Sequence, residues 1–163
     1  MEIEIPFRQF RPDNFPAPLI EATFSNGNQK IPVLCLVDSG ADFTTMPQSL
    51  GILLGINFER IAPYEIRKKW EELDKNNPKE LKKLVEEITG KKYALPTSFG
   101  CACGNTTQAK YYPATIELKE GFKKEILVLW SPQNTTPLLG RIGFFDKMKE
   151  IIFKDEQKLM LKF

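Results

Sequence analysis

Four residues, Asp38-Ser39-Gly40-Ala41, follow directly on the apolar run Ile31-Pro32-Val33-Leu34-Cys35-Leu36-Val37. Such a run reads as a short buried strand that delivers a carboxylate to a tight turn. Ser39 sets a hydroxyl beside that carboxylate, and Gly40 lets backbone approach with no Cβ in the way. A carboxylate so placed is equipped to act as a general base toward water. The chain contains one such tetrad. It contains no histidine, which removes Ser-His and Cys-His nucleophile systems. Its 3 cysteines, an odd number, argue against a disulfide framework. Cys35 reads as core. Cys101 and Cys103 form a C-x-C with neither a second cysteine pair nor an imidazole to complete a zinc site, so they read as ordinary thiols, and no metal or cofactor is expected.

The elements that must hold Asp38 follow from patterning. Glu2 to Phe7 alternates, with Ile3, Ile5 and Phe7 on one side, and reads as an edge or interface strand. After a loop punctuated by Pro12 and Pro16, Ala17 to Phe24 and Gln29 to Val37 read as strands joined across Ser25-Asn26-Gly27-Asn28, where Asn-Gly predicts the positive φ angles of a tight hairpin. Phe43-Thr44-Thr45-Met46 predicts a short strand and Pro47 to Leu54 a brief helix. From Pro63 the period changes. Ile66, Trp70 and Leu73, then Leu81, Leu84, Val85 and Ile88, recur at helical spacing and predict a helical hairpin over about 63–90, with Asn77 as cap, Pro78 in the first turn and Gly90 as stop. Its charges read as a solvated outer face.

Strand character returns at Tyr93-Ala94-Leu95. Two extended arms around Ser98 to Asn105, the second running Tyr111 to Leu118, predict a long β-hairpin whose tip is rich in small residues. A strand over Phe122 to Trp130, a short helix over Gly143 to Lys147 and two strands, Ile151-Ile152-Phe153 and Leu159-Met160-Leu161, complete the chain.

The 163 residues, 42% of them hydrophobic, suit one domain with a real core, over 1–163. Lys and Arg number 23 against 21 Asp and Glu, and the signs alternate along the chain, which argues against nucleic acid as a partner. No window approaches the roughly 20 apolar residues of a membrane span, and no basic leader precedes an apolar stretch. A soluble, cytoplasmic protein is expected.

Two motifs together resemble the retropepsin-like aspartic proteases, in a prokaryotic or cellular form rather than a viral one. The first is Leu36-Val37-Asp38-Ser39-Gly40-Ala41-Asp42. The second is Leu138-Leu139-Gly140-Arg141, continuing as Ile142-Gly143-Phe144-Phe145-Asp146. The likeness covers roughly Ala17 to Phe163, apart from the helical segment that starts at Pro63. It implies a mainly β fold, the acid-protease β-barrel, with a flap hairpin and an inserted helical hairpin. That insertion either packs as extra core, limits access to the cleft or extends a dimer contact.

The resemblance implies an aspartic endopeptidase. Such chemistry needs two carboxylates about 3 Å apart sharing one proton. The family supplies the second by homodimerisation, and here Asp38 alone has a suitable setting, since Asp146 follows Phe144-Phe145 and Asp155 sits in a polar turn. A working enzyme is then a symmetric homodimer with Asp38 contributed twice, acting on an extended peptide or unfolded protein. The resemblance implies that Asp38, Ser39 and Gly40 are catalytic-loop residues, with the Ser39 hydroxyl bonding across the dimer. It assigns substrate contact to Ala41 and Asp42 and to the flap residues Phe99, Gly100, Cys101 and Ala102, with Gly100 and Gly104 as hinges. Leu139, Gly140 and Arg141 support the site, Arg141 through a half-buried ion pair with Asp42. Ala41 offers the carboxylate no hydroxyl, which favours a mildly acidic pH optimum over a strongly acidic one. Two other readings remain: a dimerisation or peptide-binding module with little catalysis, and a small β-barrel whose D-S-G is accidental. The last requires Leu138 to Arg141 to lie far from Asp38.

Overall fold

The computed structural model describes residues 1–74, 76–100, 104, 106–133 and 135–163. Along them lie strands β1 (Glu2–Pro6), β2 (Leu19–Asn26), β3 (Gln29–Val37) and β4 (Thr45–Pro47), then helices α1 (Gln48–Leu53), α2 (Tyr64–Glu71) and α3 (Pro78–Lys91). Strands β5 (Leu95–Gly100), β6 (Thr106–Glu117), β7 (Lys123–Ser131) and β8 (Leu138–Leu139) follow, then a 3-10 turn (Phe145–Lys147), β9 (Glu150–Lys154) and β10 (Lys158–Lys162). No helix among the described residues is long and apolar enough to cross a membrane.

The main sheet runs β2-β3-β8-β4-β7-β6-β5, and a further pairing of β2 with β6 closes six of these strands into a barrel. Closure leaves β5 outside the ring, paired among the described residues with β6 alone, so the β5/β6 hairpin projects from the barrel. The β2/β3 hairpin is paired from Leu19↔Leu36 to Asn26↔Gln29. Its loop is therefore Gly27-Asn28, and the positive φ of 57° belongs to Gly27. Asn26 stays in the strand, unlike the paired Asn-Gly geometry expected from the sequence. One glycine at the first loop position suffices to turn strands of right-handed twist.

Strand β7 shows why the sequence carries a continuous apolar run there. Ile126, Val128 and Trp130 point into the barrel core, and Leu127 and Leu129 point outward into a second apolar cluster. That second cluster is built by the inserted helices: Ile66 from α2 and Leu84, Val85 and Ile88 from α3 cover the outer faces of β6 and β7. A strand covered on both faces reads as unbroken hydrophobicity rather than alternation. Trp130 is fully buried, its indole N–H donating to the Tyr112 carbonyl at 3.1 Å. Burial also pushes the Cys35 thiol far above its ordinary range, so it behaves as a core side chain.

Helix α3 begins as its sequence predicts. The Asn77 side chain accepts from the Glu80 N–H at 3.3 Å, and Pro78 occupies the first turn. It does not stop at Gly90. The helix continues to Lys91, and Lys92 takes the left-handed cap with φ 53°. Ile88, fully buried, anchors the last turn. The exit is set by Tyr93 N–H bonding back to the Ile88 carbonyl and by Ala94 N–H on the Arg60 carbonyl. The helix expected over Gly143 to Lys147 shrinks to the 3-10 turn because Gly143 has a φ of 99°, outside helical space.

A separate three-stranded sheet, ordered β1-β10-β9, joins the two ends of the chain. Strand β1 lies at its edge, and Ile3 and Ile5 pack on the barrel core. The opposite face carries Glu2, Glu4, Glu150, Lys154 and Lys162 in cross-strand ion pairs. Those contacts hold the Glu4 carboxyl below its usual range, chiefly through its hydrogen bond with Lys154.

Candidate active site

The two motifs, a hundred residues apart in the chain, meet at one end of the barrel. Strands β3 and β8 run parallel with Leu36 opposite Leu138 and Val37 opposite Leu139. Asp38 N–H donates to the Leu139 carbonyl at 3.0 Å. Past this point the loop after Asp38 is zipped to the second motif. Arg141 N–H bonds the Ala41 carbonyl, Ile142 N–H bonds the Asp42 carbonyl, and Thr44 N–H returns to the Ile142 carbonyl, each at 2.9 Å. Leu138 to Arg141 therefore lies against Asp38 and not far from it, as an accidental D-S-G would require.

Within the tetrad, Ala41 N–H reaches the Asp38 carbonyl at 3.2 Å and closes the turn. The Gly40 N–H donates to Asp38 Oδ1 at 2.8 Å. A Cβ on Gly40 would stand 3.1 Å from that oxygen, so the glycine permits the close approach. Asp38 and Ala41 are half-buried, whereas Ser39 and Gly40 are exposed.

Gly140 is the tightest point of the site. A Cβ there would lie 2.4 Å from the Phe43 carbonyl oxygen and 2.8 Å from that of Ala41. Its N–H donates to the Thr44 hydroxyl at 3.2 Å, and Thr44 is fully buried. Leu139 beside it is fully buried in the barrel core. The Asp42–Arg141 ion pair forms, with an N–O distance of 2.5 Å. It is not half-buried as expected, however. The Asp42 and Arg141 side chains are 76% and 61% exposed, because both project from the loop zipper toward solvent while the backbones carry the junction. Such a pair adds little stability.

Asp38 lines a cleft of about 670 Å³ together with Asp42, Phe43, Trp70, Ser98, Tyr111 and Leu138, among others. Asp42, the other carboxylate lining it, is engaged by Arg141. Asp146 is occupied elsewhere: its Oδ1 accepts from the Gly143 N–H at 2.8 Å and it pairs with Lys147. The Thr135 hydroxyl also lies at the cleft, shielded from solvent and without a hydrogen-bond partner among the described residues. Burial pushes the Tyr111 hydroxyl well above the ordinary phenol range; its hydrogen bond with Thr97 acts the other way, and the Asp42 charge adds to the rise. Tyr111 therefore stands neutral beside the cleft. Among the described residues, no group of three or more His, Cys, Asp or Glu side chains is placed to hold a metal ion.

The β5/β6 hairpin borders the same cleft through Thr97 and Ser98. Its register pairs Phe99 with Thr107 and Gly100 with Thr106, and Gly104 has a φ of 82°. Cys101 and Ala102, with Cys103 and Asn105, lie outside the described residues. Trp70 and Tyr111, which line the cleft, were not picked out in the sequence as site residues, and neither was Thr44, which is buried behind it against Gly140. Trp70 follows Ile66 at i+4 and reads as an ordinary core position, and its aromatic neighbours, Phe43 in the loop after Asp38 and Tyr111 in β6, are remote in the chain.

No protein-family profile matches the sequence, and no curated protein does. Solved structures do. The chain is similar to the crystal structure of a retropepsin-like aspartic protease from Rickettsia conorii at 16% identity, over 99% of this chain and 89% of that one, with a TM-score of 0.57. The likeness is one of fold: the chain has the mainly β, retropepsin-like barrel.

Proposed function

We propose that the chain is an aspartic endopeptidase that works as a homodimer, with Asp38 from each copy forming the catalytic dyad. The observation that carries this reading is the zipper between Asp38-Ser39-Gly40-Ala41 and Leu139-Gly140-Arg141-Ile142 at the wall of an open cleft. It holds a half-buried carboxylate rigidly where an extended chain has room. One copy offers no second free carboxylate beside it among the described residues, which supports completion by a second copy.

In the dimer the ionised Asp38 takes a proton from a water molecule, whose oxygen attacks the scissile carbonyl carbon. The protonated partner carboxyl gives its proton to the carbonyl oxygen, producing a tetrahedral diol. Proton transfer to the peptide nitrogen then lets the C–N bond break, releasing a carboxylic acid and an amine. Ser39, which is exposed, bonds across the two-fold axis in this reading. On the same reading Ala41, Asp42, Phe99, Gly100, Cys101 and Ala102 contact the substrate, and Leu139, Gly140 and Arg141 keep the loop in register.

Purified protein incubated with an unfolded protein substrate between about pH 3 and pH 7 tests this reading. Cleavage with a maximum in the mildly acidic range is the expected result. Absence of cleavage at every pH by a dimeric preparation would replace the enzyme with a peptide-binding module.

A further inference from the structure

Trp70 belongs to α2, within the segment that departs from the compact barrel pattern, yet its indole stands at the cleft. It is half-buried and packs against Tyr111, with ring centroids 4.9 Å apart, and against Phe43, at 6.0 Å. Phe43 and Tyr111 are themselves 4.7 Å apart. The three rings come from an inserted helix, the loop after Asp38 and strand β6, and they form one aromatic wall. All three rings line the cleft that holds Asp38. Phe43 and Trp70, with Asp42, also line a second recess of about 320 Å³, together with Leu73, Leu81, Arg141 and Ile142. Because Phe43 follows the Asp38 loop and is fixed by its neighbours' backbone bonds to Ile142, Trp70 is the part of this wall that the insertion supplies.

From this geometry, and resting on the protease reading above, we infer that the inserted helical hairpin sets substrate specificity: Trp70 is the wall of a subsite for an apolar side chain near the scissile bond, and it limits that side chain's size. An aliphatic side chain such as Leu packs against the indole edge and fills the space in front of it. A larger ring needs the volume that Trp70 closes off. Removing the indole joins the cleft to the second recess, so the variant accepts indole and phenol side chains that the wild type rejects. A tryptophan that merely held α2 on the barrel would change the rate for all peptides alike.

The test uses octapeptides of one sequence, carrying Leu, Phe or Trp at either of the two central positions. The wild type favours Leu. In Trp70→Ala the ratio of kcat/KM for Trp over Leu rises about tenfold or more, with a smaller rise in Trp70→Phe. Should the alanine variant fail to fold, the phenylalanine variant decides. Retained cleavage with an unchanged ratio overturns the inference and leaves the protease reading standing. A binding arm separates the two claims. Trp130 is fully buried and Trp70 half-buried, so a peptide in the subsite alters emission from Trp70. In Asp38→Asn protein the emission change follows the Leu peptide, and Trp70→Phe abolishes it. That result, if the wild type cleaves nothing, keeps the subsite and overturns the enzyme; no emission change with any peptide overturns the subsite.

Discussion

Asp38→Asn protein folds like the wild type and cleaves unfolded protein at least roughly 10³-fold more slowly, the scale expected when an acid–base group is removed from a reaction that depends on it. The substitution keeps the shape of the side chain and an acceptor oxygen for the Gly40 N–H, which lies 2.8 Å from Asp38 Oδ1. The backbone bond from Asp38 N–H to the Leu139 carbonyl is untouched. What disappears is the ability to ionise and to pass a proton, and in a homodimer it disappears from both halves of the dyad at once. Stability and rate should therefore separate: an unchanged urea midpoint and an activity near background. Equal cleavage by the two proteins would end the assignment of Asp38 to catalysis.

The second large effect is on the support rather than the chemistry. Gly140→Ala is expected to destabilise the protein by about 3 kcal/mol, the upper end of the usual cost of overpacking. The new Cβ would meet backbone, at 2.4 Å from the Phe43 carbonyl oxygen and 2.5 Å from its carbon. Backbone can give way there only by breaking the Arg141–Ala41, Ile142–Asp42 and Thr44–Ile142 bonds that hold the Asp38 loop. Activity per folded molecule should fall as well, since the same bonds fix Asp38. Gly90→Ala provides the control. Gly90 lies inside α3, exposed, with nothing within 4 Å of a built Cβ, so the same chemical change stabilises by about 0.5–1 kcal/mol. Urea denaturation of the two variants checks the opposite signs. A Gly140→Ala protein as stable as the wild type would mean that the zipper is not tight in solution.

Much of the site was legible because its parts obey local rules. The strand Gln29–Val37 runs as its apolar pattern predicts and delivers Asp38 to a turn, and Asn77-Pro78 opens α3 as a cap and first turn must. Gly90 misled because glycine is both a helix terminator and a tolerated exposed interior residue, and buried Ile88 together with the Ala94–Arg60 bond decided where the chain left the helix. The exposure of Asp42 and Arg141 followed from the path of two loops, which no single segment encodes. Trp70 was hidden for the opposite reason. Its helical spacing with Ile66 is a true core signal, and α2 does pack on β6 and β7, so the side chain that reaches the cleft carries the same mark as those that do not. Contacts such as Trp70 with Tyr111 join distant parts of the chain, and spacing within either part says nothing of the other.

The central claim is that one chain supplies half of a dyad. On that proposal the reaction is inseparable from assembly, because among the described residues the other carboxylate lining the cleft with Asp38 is paired with Arg141. The most direct measurement mixes wild-type chains with Asp38→Asn chains at constant total concentration, allows subunits to exchange and follows cleavage of an unfolded protein. If both Asp38 side chains are needed, activity falls as the square of the wild-type fraction, to roughly one quarter in an equal mixture of randomly pairing copies. Activity that falls in simple proportion, to about half, would mean that each chain carries a complete site and would contradict the account.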